Sequence, residues 1–112
     1  MFSAQETPFE AVAWGLTKVL VGRHPSPGGE QSSDVEFKIT EYAPRYSHER
    51  HAHAEQCEIV YVLSGQGEHE TADGRRVRFG PGDIIYIPAG CAHGNHNPHD
   101  EPIRAVIVKV PG

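Results

Sequence analysis

Two segments of this chain carry residue types that bind metal ions. The first is His51-Ala52-His53-Ala54-Glu55-Gln56-Cys57-Glu58, and the second runs from Gly82 through Pro88-Ala89-Gly90 to His93. Successive side chains of a β-strand point to opposite faces, so His51 and His53 project from one face as a two-nitrogen chelate. Residues 54 to 57 are small or polar enough to reverse the chain. Cys57 to Leu63 then reads as an antiparallel return that sets Glu58 level with the histidine pair. Pro88-Ala89-Gly90 ends an apolar run with a turn, and His93 opens the next extended stretch, placed to close the site from a neighbouring strand. The expected metal ligands are His51, His53, Glu58 and His93.

Imidazoles and a carboxylate without a thiolate disfavour a closed structural zinc site. They suit one divalent transition metal per chain, among iron, manganese, nickel, cobalt, copper and zinc. Such a ligand set leaves octahedral positions open for water, dioxygen or a pair of substrate oxygens. One carboxylate on a dication leaves roughly one positive charge, which favours carboxylates, enolates and deprotonated catechol-like groups. The imidazoles bind only when neutral, so occupancy should fall as pH drops toward about 6.5.

The elements that must position these residues read as short strands. Thr17 to Val21 is a first strand, followed by a long polar loop over residues 22–34 that is either mobile or part of a subunit contact. Val35, Phe37 and Ile39 alternate with Glu36, Lys38 and Thr40 in the pattern of a half-buried strand. Residues 67–71 and 75–79 flank Asp73-Gly74, the dipeptide of a two-residue hairpin turn. Gly80-Pro81-Gly82-Asp83 is another turn, residues 84–87 a buried strand and residues 103–110 a final apolar one. A weak helix is expected near Phe9 to Trp14. The fold class is all-β: an antiparallel double-stranded β-helix or jelly-roll barrel with little helix.

The same residues give the chain a family likeness. It resembles a small single-domain cupin: His51, His53, Glu58 and Gly65 match the first family motif, and Gly82, Pro88, Gly90, His93 and Asn97 match the second at every interval. The motifs and their connection span about half of the chain. One position departs, because Arg45 stands where a glycine usually precedes the first histidine. The resemblance implies one barrel domain over residues 1–112, with an N-terminal arm at 1–16 and a barrel core at 35–110. Small cupins are commonly dimers, and they include both enzymes and binding modules.

Composition bounds the alternatives. The chain has 112 residues, enough for one domain, and its net charge is −5. Its one basic run, Arg75 to Arg78, alternates like an exposed strand face, so nucleic acid is not an expected partner. Neither a basic leader nor a membrane-length apolar stretch is present, and a cytoplasmic protein without membrane contact is expected. Cys57 and Cys91 read as free thiols, the first facing away from the ligands and the second a turn residue near the site mouth whose role stays open. Gln56, Tyr42, Tyr46, Tyr86, His96 and Arg104 are candidates for contacts to substrate or to the ligands, since metal-bound imidazoles usually donate their second nitrogen to a partner. Asn97 reads as an amide that fixes a loop, Gly65 and Gly67 as turn glycines, and His24, His48, His69 and His99 as solvated.

Ile59, Tyr61 and Leu63 make the face opposite Glu58 apolar as well. A second subunit would cover it economically, with the segment around Trp14 as a candidate to cross over. The chain's own N-terminal arm is the alternative cover. Three activities fit the ligand set and a small oxygen-rich or anionic organic ligand. A dioxygenase-like enzyme ranks first, because open metal positions suit joint binding of substrate and oxygen. A Lewis-acid isomerase, cyclase or decarboxylase and a non-catalytic sugar- or anion-binding module are the alternatives.

Overall fold

The computed structural model describes residues 2–111, apart from the side chains of His48 and Glu49; the expected solvation of His48 therefore falls outside the described residues. Strands β1 (Glu10–Val12), β2 (Gly15–Gly22), β3 (Glu30–Gln31), β4 (Glu36–Tyr42) and β5 (Ser47–His51) form the first half of the chain. The second half holds β6 (Gln56–Ser64), β7 (Gly67–Glu70), β8 (Arg76–Phe79), β9 (Ile84–Ile87), β10 (His93–His96) and β11 (Ile103–Pro111). One sheet has the order β1-β2-β4-β11-β6-β9, with β3 added parallel to β2, and the other has the order β5-β10-β7-β8. Every other pairing is antiparallel, giving the all-β barrel that the short, regularly spaced strands call for.

Strand β11 lies inside the larger sheet, between β4 and β6. Ile103, Ala105 and Ile107 turn inward and join Val60, Val62 and Ile87 in the core, closed at its ends by Tyr42 and Phe79. Residues paired directly across a ladder share a face, and Lys38, Thr40 and Tyr42 sit opposite Ile107, Ala105 and Ile103. The inward row of β4 is thus its polar one. Thr40 is fully buried, its hydroxyl 3.1 Å from that of Thr17, while Phe37 and Ile39 occupy the outer face.

Several local readings are corrected. The helix expected near Phe9 to Trp14 is absent; Glu10–Val12 pairs with β2 instead, and the described residues hold a single helical turn at Ala4–Glu6. The segment is too short for helix cooperativity, and a β-strand partner satisfies its backbone directly. The polar loop after β2 folds back on that strand: the Ser26 amide donates to the Val19 carbonyl, and the Ser26 hydroxyl accepts from the Val19 amide. The 71–75 hairpin closes on three residues rather than two, with the Thr71 amide bonded to Arg75 and the Gly74 amide bonded back to Thr71. β9 is an edge strand, so only its inward side is covered and Ile84 and Tyr86 stay 66% and 62% exposed. No helix among the described residues is long and apolar enough to cross a membrane.

Candidate metal centre

The four expected ligands arrive from both sheets. His51 ends β5 and pairs directly with His93, the first residue of β10, so these imidazoles stand side by side. His53 lies beyond the end of β5, where the Gly90 amide donates to its carbonyl at 2.8 Å. Gly90 can make that turn because its φ of +76° lies in the left-handed region, which an L side chain adopts only with strain. The chain then crosses to the other sheet. β6 pairs with β11 and β9, not with β5, so Glu58 faces the histidines across the barrel instead of returning beside them as a hairpin would.

Ligand nitrogens of His51, His53 and His93 lie within 4.8 Å of one another. One carboxylate oxygen of Glu58, Oε2, is 3.8 Å from His53 Nε2 and 3.7 Å from His93 Nε2. Glu58 is only 6% exposed, and Oε2 has no hydrogen-bond partner. Buried polar atoms are rarely left unsatisfied, and an acceptor-only oxygen among imidazole nitrogens is what a cation would complete. The His93 ring supports the same fit: Nδ1–H donates to the Cys91 carbonyl at 3.0 Å, which leaves the Nε2 lone pair turned to Glu58. Burial pushes the pKa of His53 and His93 down, and at His53 the Lys109 ammonium pushes it further. Both effects favour the neutral rings that ligate metals.

A cavity of about 230 Å³ opens onto these four side chains, with Trp14, Tyr42, Asn95 and two lysines, Lys38 and Lys109, in its walls. Trp14 packs on Tyr42 of its own chain at 5.4 Å between ring centroids. Burial, followed by the charge of Glu58 and the neighbourhood of Tyr46, raises the Tyr42 pKa and keeps the phenol protonated. His53 and Lys109 also border a wider outer cavity of about 710 Å³.

Among the expected contact residues, Tyr42 lines the inner cavity and Gln56 the outer one. Tyr86, Arg104 and His96 are placed elsewhere, while Tyr46 neighbours Tyr42. Tyr86 projects from the outer face of the edge strand. Arg104 lies on the outward row of β11, bonded to Glu41 at 2.9 Å and stacked over Phe9. His96 is turned to Glu70, its Nε2 3.0 Å from that carboxylate. The Tyr46 carbonyl accepts from the Asn97 amide, and the Asn97 side chain donates to the carbonyls of Ala43 and Glu101. His69, expected in solvent, is half-buried: it stacks on His93 and bonds Asn95 Oδ1 through Nδ1 at 2.9 Å, because β7 runs beside β10. Cys57 and Cys91 are free thiols, and Cys91 packs against the core.

The sequence did not place Lys38, Lys109 or Asn95 at the site, and it offered Trp14 only as part of a segment to cross over to a second subunit. Asn95 carried a usable signal, since it lies two residues from His93 on a strand. Lys38 and Lys109 carried none, because alternating charge on a strand reads as a solvated face.

The family model described as Cupin domain matches residues 38–109. Among solved structures, KdgF from Halomonas sp. superposes with a TM-score of 0.78 at 18% identity, covering 100% of this chain and 94% of that one. The polyketide cyclase RemF from Streptomyces resistomycificus gives a TM-score of 0.78 at 26% identity over 98% of this chain and 78% of that one. A Cupin 2 conserved barrel domain protein from Salinispora arenicola gives 0.70 at 29% identity over 87% and 76%. No curated protein matches the sequence.

Proposed function

This chain belongs to the Cupin domain family, and on that footing we propose that it is a metal-dependent enzyme acting on a small oxygen-rich organic molecule by redox-neutral chemistry. The observation that carries the metal reading is the orphaned Glu58 Oε2, buried among three imidazoles at the base of a cavity. His51, His53, Glu58 and His93 would hold the cation, which when bound supplies Lewis-acid polarisation of a substrate oxygen. Tyr42 stands protonated in the cavity wall, bordering the space a bound substrate would fill. Trp14 packs on Tyr42 and shields that side of the cavity from water. The choice of redox-neutral chemistry over the dioxygenase ranked first from sequence draws on the similarity to a polyketide cyclase at 26% identity.

Protein purified without tag or chelator should contain one divalent transition metal per chain by elemental analysis. The single changes His51→Ala, His53→Ala and His93→Ala should each remove most of it, and full stoichiometry in all three would end the assignment. Substrate-dependent oxygen uptake would favour the dioxygenase over the Lewis-acid reading.

The same proposal includes a homodimer. Ile59, Tyr61 and Leu63 remain exposed although the N-terminal arm is in place, because that arm is spent on another part of the sheet: Lys18 Nζ donates to the carbonyls of Ala4 and Thr7. A second copy is the remaining cover.

A further inference from the structure

Lysine side chains belong on outer strand faces, where the ammonium stays hydrated and the stem lies on the surface. Lys18 lies on an outer face with its ammonium bonded to the N-terminal arm, whereas Lys38 and Lys109 turn inward. Lys38 continues the buried row of Thr40 and Tyr42 on β4, opposite Ile107, and Lys109 continues the row of Ala105 and Ile107 on β11. Both reach the cavity that opens onto the histidines. The Lys38 side chain is 16% exposed, with Glu36 Oε1 at 3.1 Å from its ammonium. Lys109 sits across the ladder from Glu58 on one side and Glu36 on the other, and its amino group comes within side-chain hydrogen-bonding range of Lys38.

Two like charges crowded into one half-buried space are a cost to the fold. Glu36 is a third exposed and already engaged by Lys38. Once Glu58 is committed to a cation, less of its charge is left to offset that of Lys109, which faces it across the ladder. We propose that Lys38 and Lys109 form an anion subsite, which takes the negatively charged group of a small organic anion whose oxygen atoms reach toward the histidine cluster. The inference rests on the metal-site reading for the second anchor of that molecule. Lysine recognises charge rather than shape, so the shared chemistry is a carboxylate or a phosphate ester. The cavity of about 230 Å³ equals on the order of eight water volumes, which restricts the ligand to a small metabolite.

Calorimetric titration at low ionic strength tests this with succinate against succinamide and with glycerol 3-phosphate against glycerol. At least one anion should bind the metal-loaded protein tenfold or more tightly than its neutral counterpart, and the better anion identifies the charged group. Lys38→Met and Lys109→Met should each abolish that preference, and Lys38→Arg should keep most of it. Metal content should stay at the wild-type level in all of these variants. The melting temperature of Lys38→Met should be unchanged or raised, since a buried charge is replaced by an apolar chain of similar length; a purely structural lysine would give a fall. The same titrations on metal-stripped protein separate the two readings. A lysine-dependent anion preference there upholds the subsite even if the metal assignment fails. Anion binding that ignores both Met variants, or no preference for either anion in both forms of the protein, overturns it.

Discussion

A carboxylate buried to 6% exposure with one oxygen bonded to nothing costs the metal-free fold stability, since the lone pairs it lost to desolvation were not repaid. Glu58→Gln removes the charge and keeps the shape. Metal-stripped Glu58→Gln is therefore expected to melt higher than metal-stripped wild type, by about 1 kcal/mol of stability, while binding metal more weakly than wild type but better than the histidine variants. An amide oxygen still coordinates. An unchanged metal affinity would move Glu58 out of the ligand set. The imidazoles give a second expectation, on pH. Burial holds His53 and His93 below their ordinary 6.5, so between the depressed and the ordinary value the unfolded chain binds more protons than the folded one. Stability then rises with pH across that window, and metal-stripped protein should lose stability as pH falls below about 6.5. Thermal melts between about pH 7 and 5.5 check this; a flat or rising stability toward the acid side would contradict it. At this scale the clustering of His51, His53 and His93 was legible, because two histidines at strand spacing and a third opening a later strand can converge. Lys38 and Lys109 were not, because whether an alternating strand turns its charged side inward depends on the partner strands.

At the scale of elements, the turn joining β4 to β5 shows how a departure from a motif is absorbed. Arg45 has a φ of +62° and is the one non-glycine with positive φ among the described residues. The backbone thus keeps the conformation a glycine would adopt. Arg45 is held there by Nε bonding Asp100 at 2.8 Å, by a guanidinium bond to the Pro98 carbonyl and by its own amide on the His99 carbonyl. The Arg45–Asp100 pair is mostly exposed, so it offsets little of the strain. Arg45→Ala keeps the strain and loses the side-chain bonds, whereas Arg45→Gly loses the bonds but relieves the strain. Chemical denaturation should find the glycine variant more stable than the alanine variant by about 1 kcal/mol; the reverse order would show that the arginine conformation is unstrained. Apolar runs of strand length, such as residues 103–110, were readable in advance. The crossing between sheets after His53 was not, since a short polar link serves a hairpin and a sheet change equally. Phe9 to Trp14 misled for a related reason: so short a segment takes its structure from its neighbour, here β2.

For the whole molecule, the outer face around β6 and β9 stands uncovered in the single chain. Tyr61 pairs directly with Ile84, and Ile59 with Tyr86, so four large apolar side chains stand together with Leu63 beside them. Scattered apolar residues on a surface need no explanation, but a contiguous group on an edge strand invites association. That both faces of β6 are apolar was legible in the sequence; that the N-terminal arm lies on Lys18 and leaves this group bare was not. The proposed dimer places the edge of β9 and this face against a second copy. Tyr61→Arg puts a charge at the middle of the patch, 43% exposed in the single chain and so tolerated by the monomer fold. In the dimer the same charge would be desolvated against its symmetry mate, at a cost of several kcal/mol. Light scattering is expected to show wild type at twice the chain mass and Tyr61→Arg at the chain mass, with the metal content of the variant unchanged because Glu58 points to the opposite face of β6. A variant that remains dimeric would place the interface elsewhere. A wild type that runs as a monomer at high concentration would mean that the patch is bare in solution.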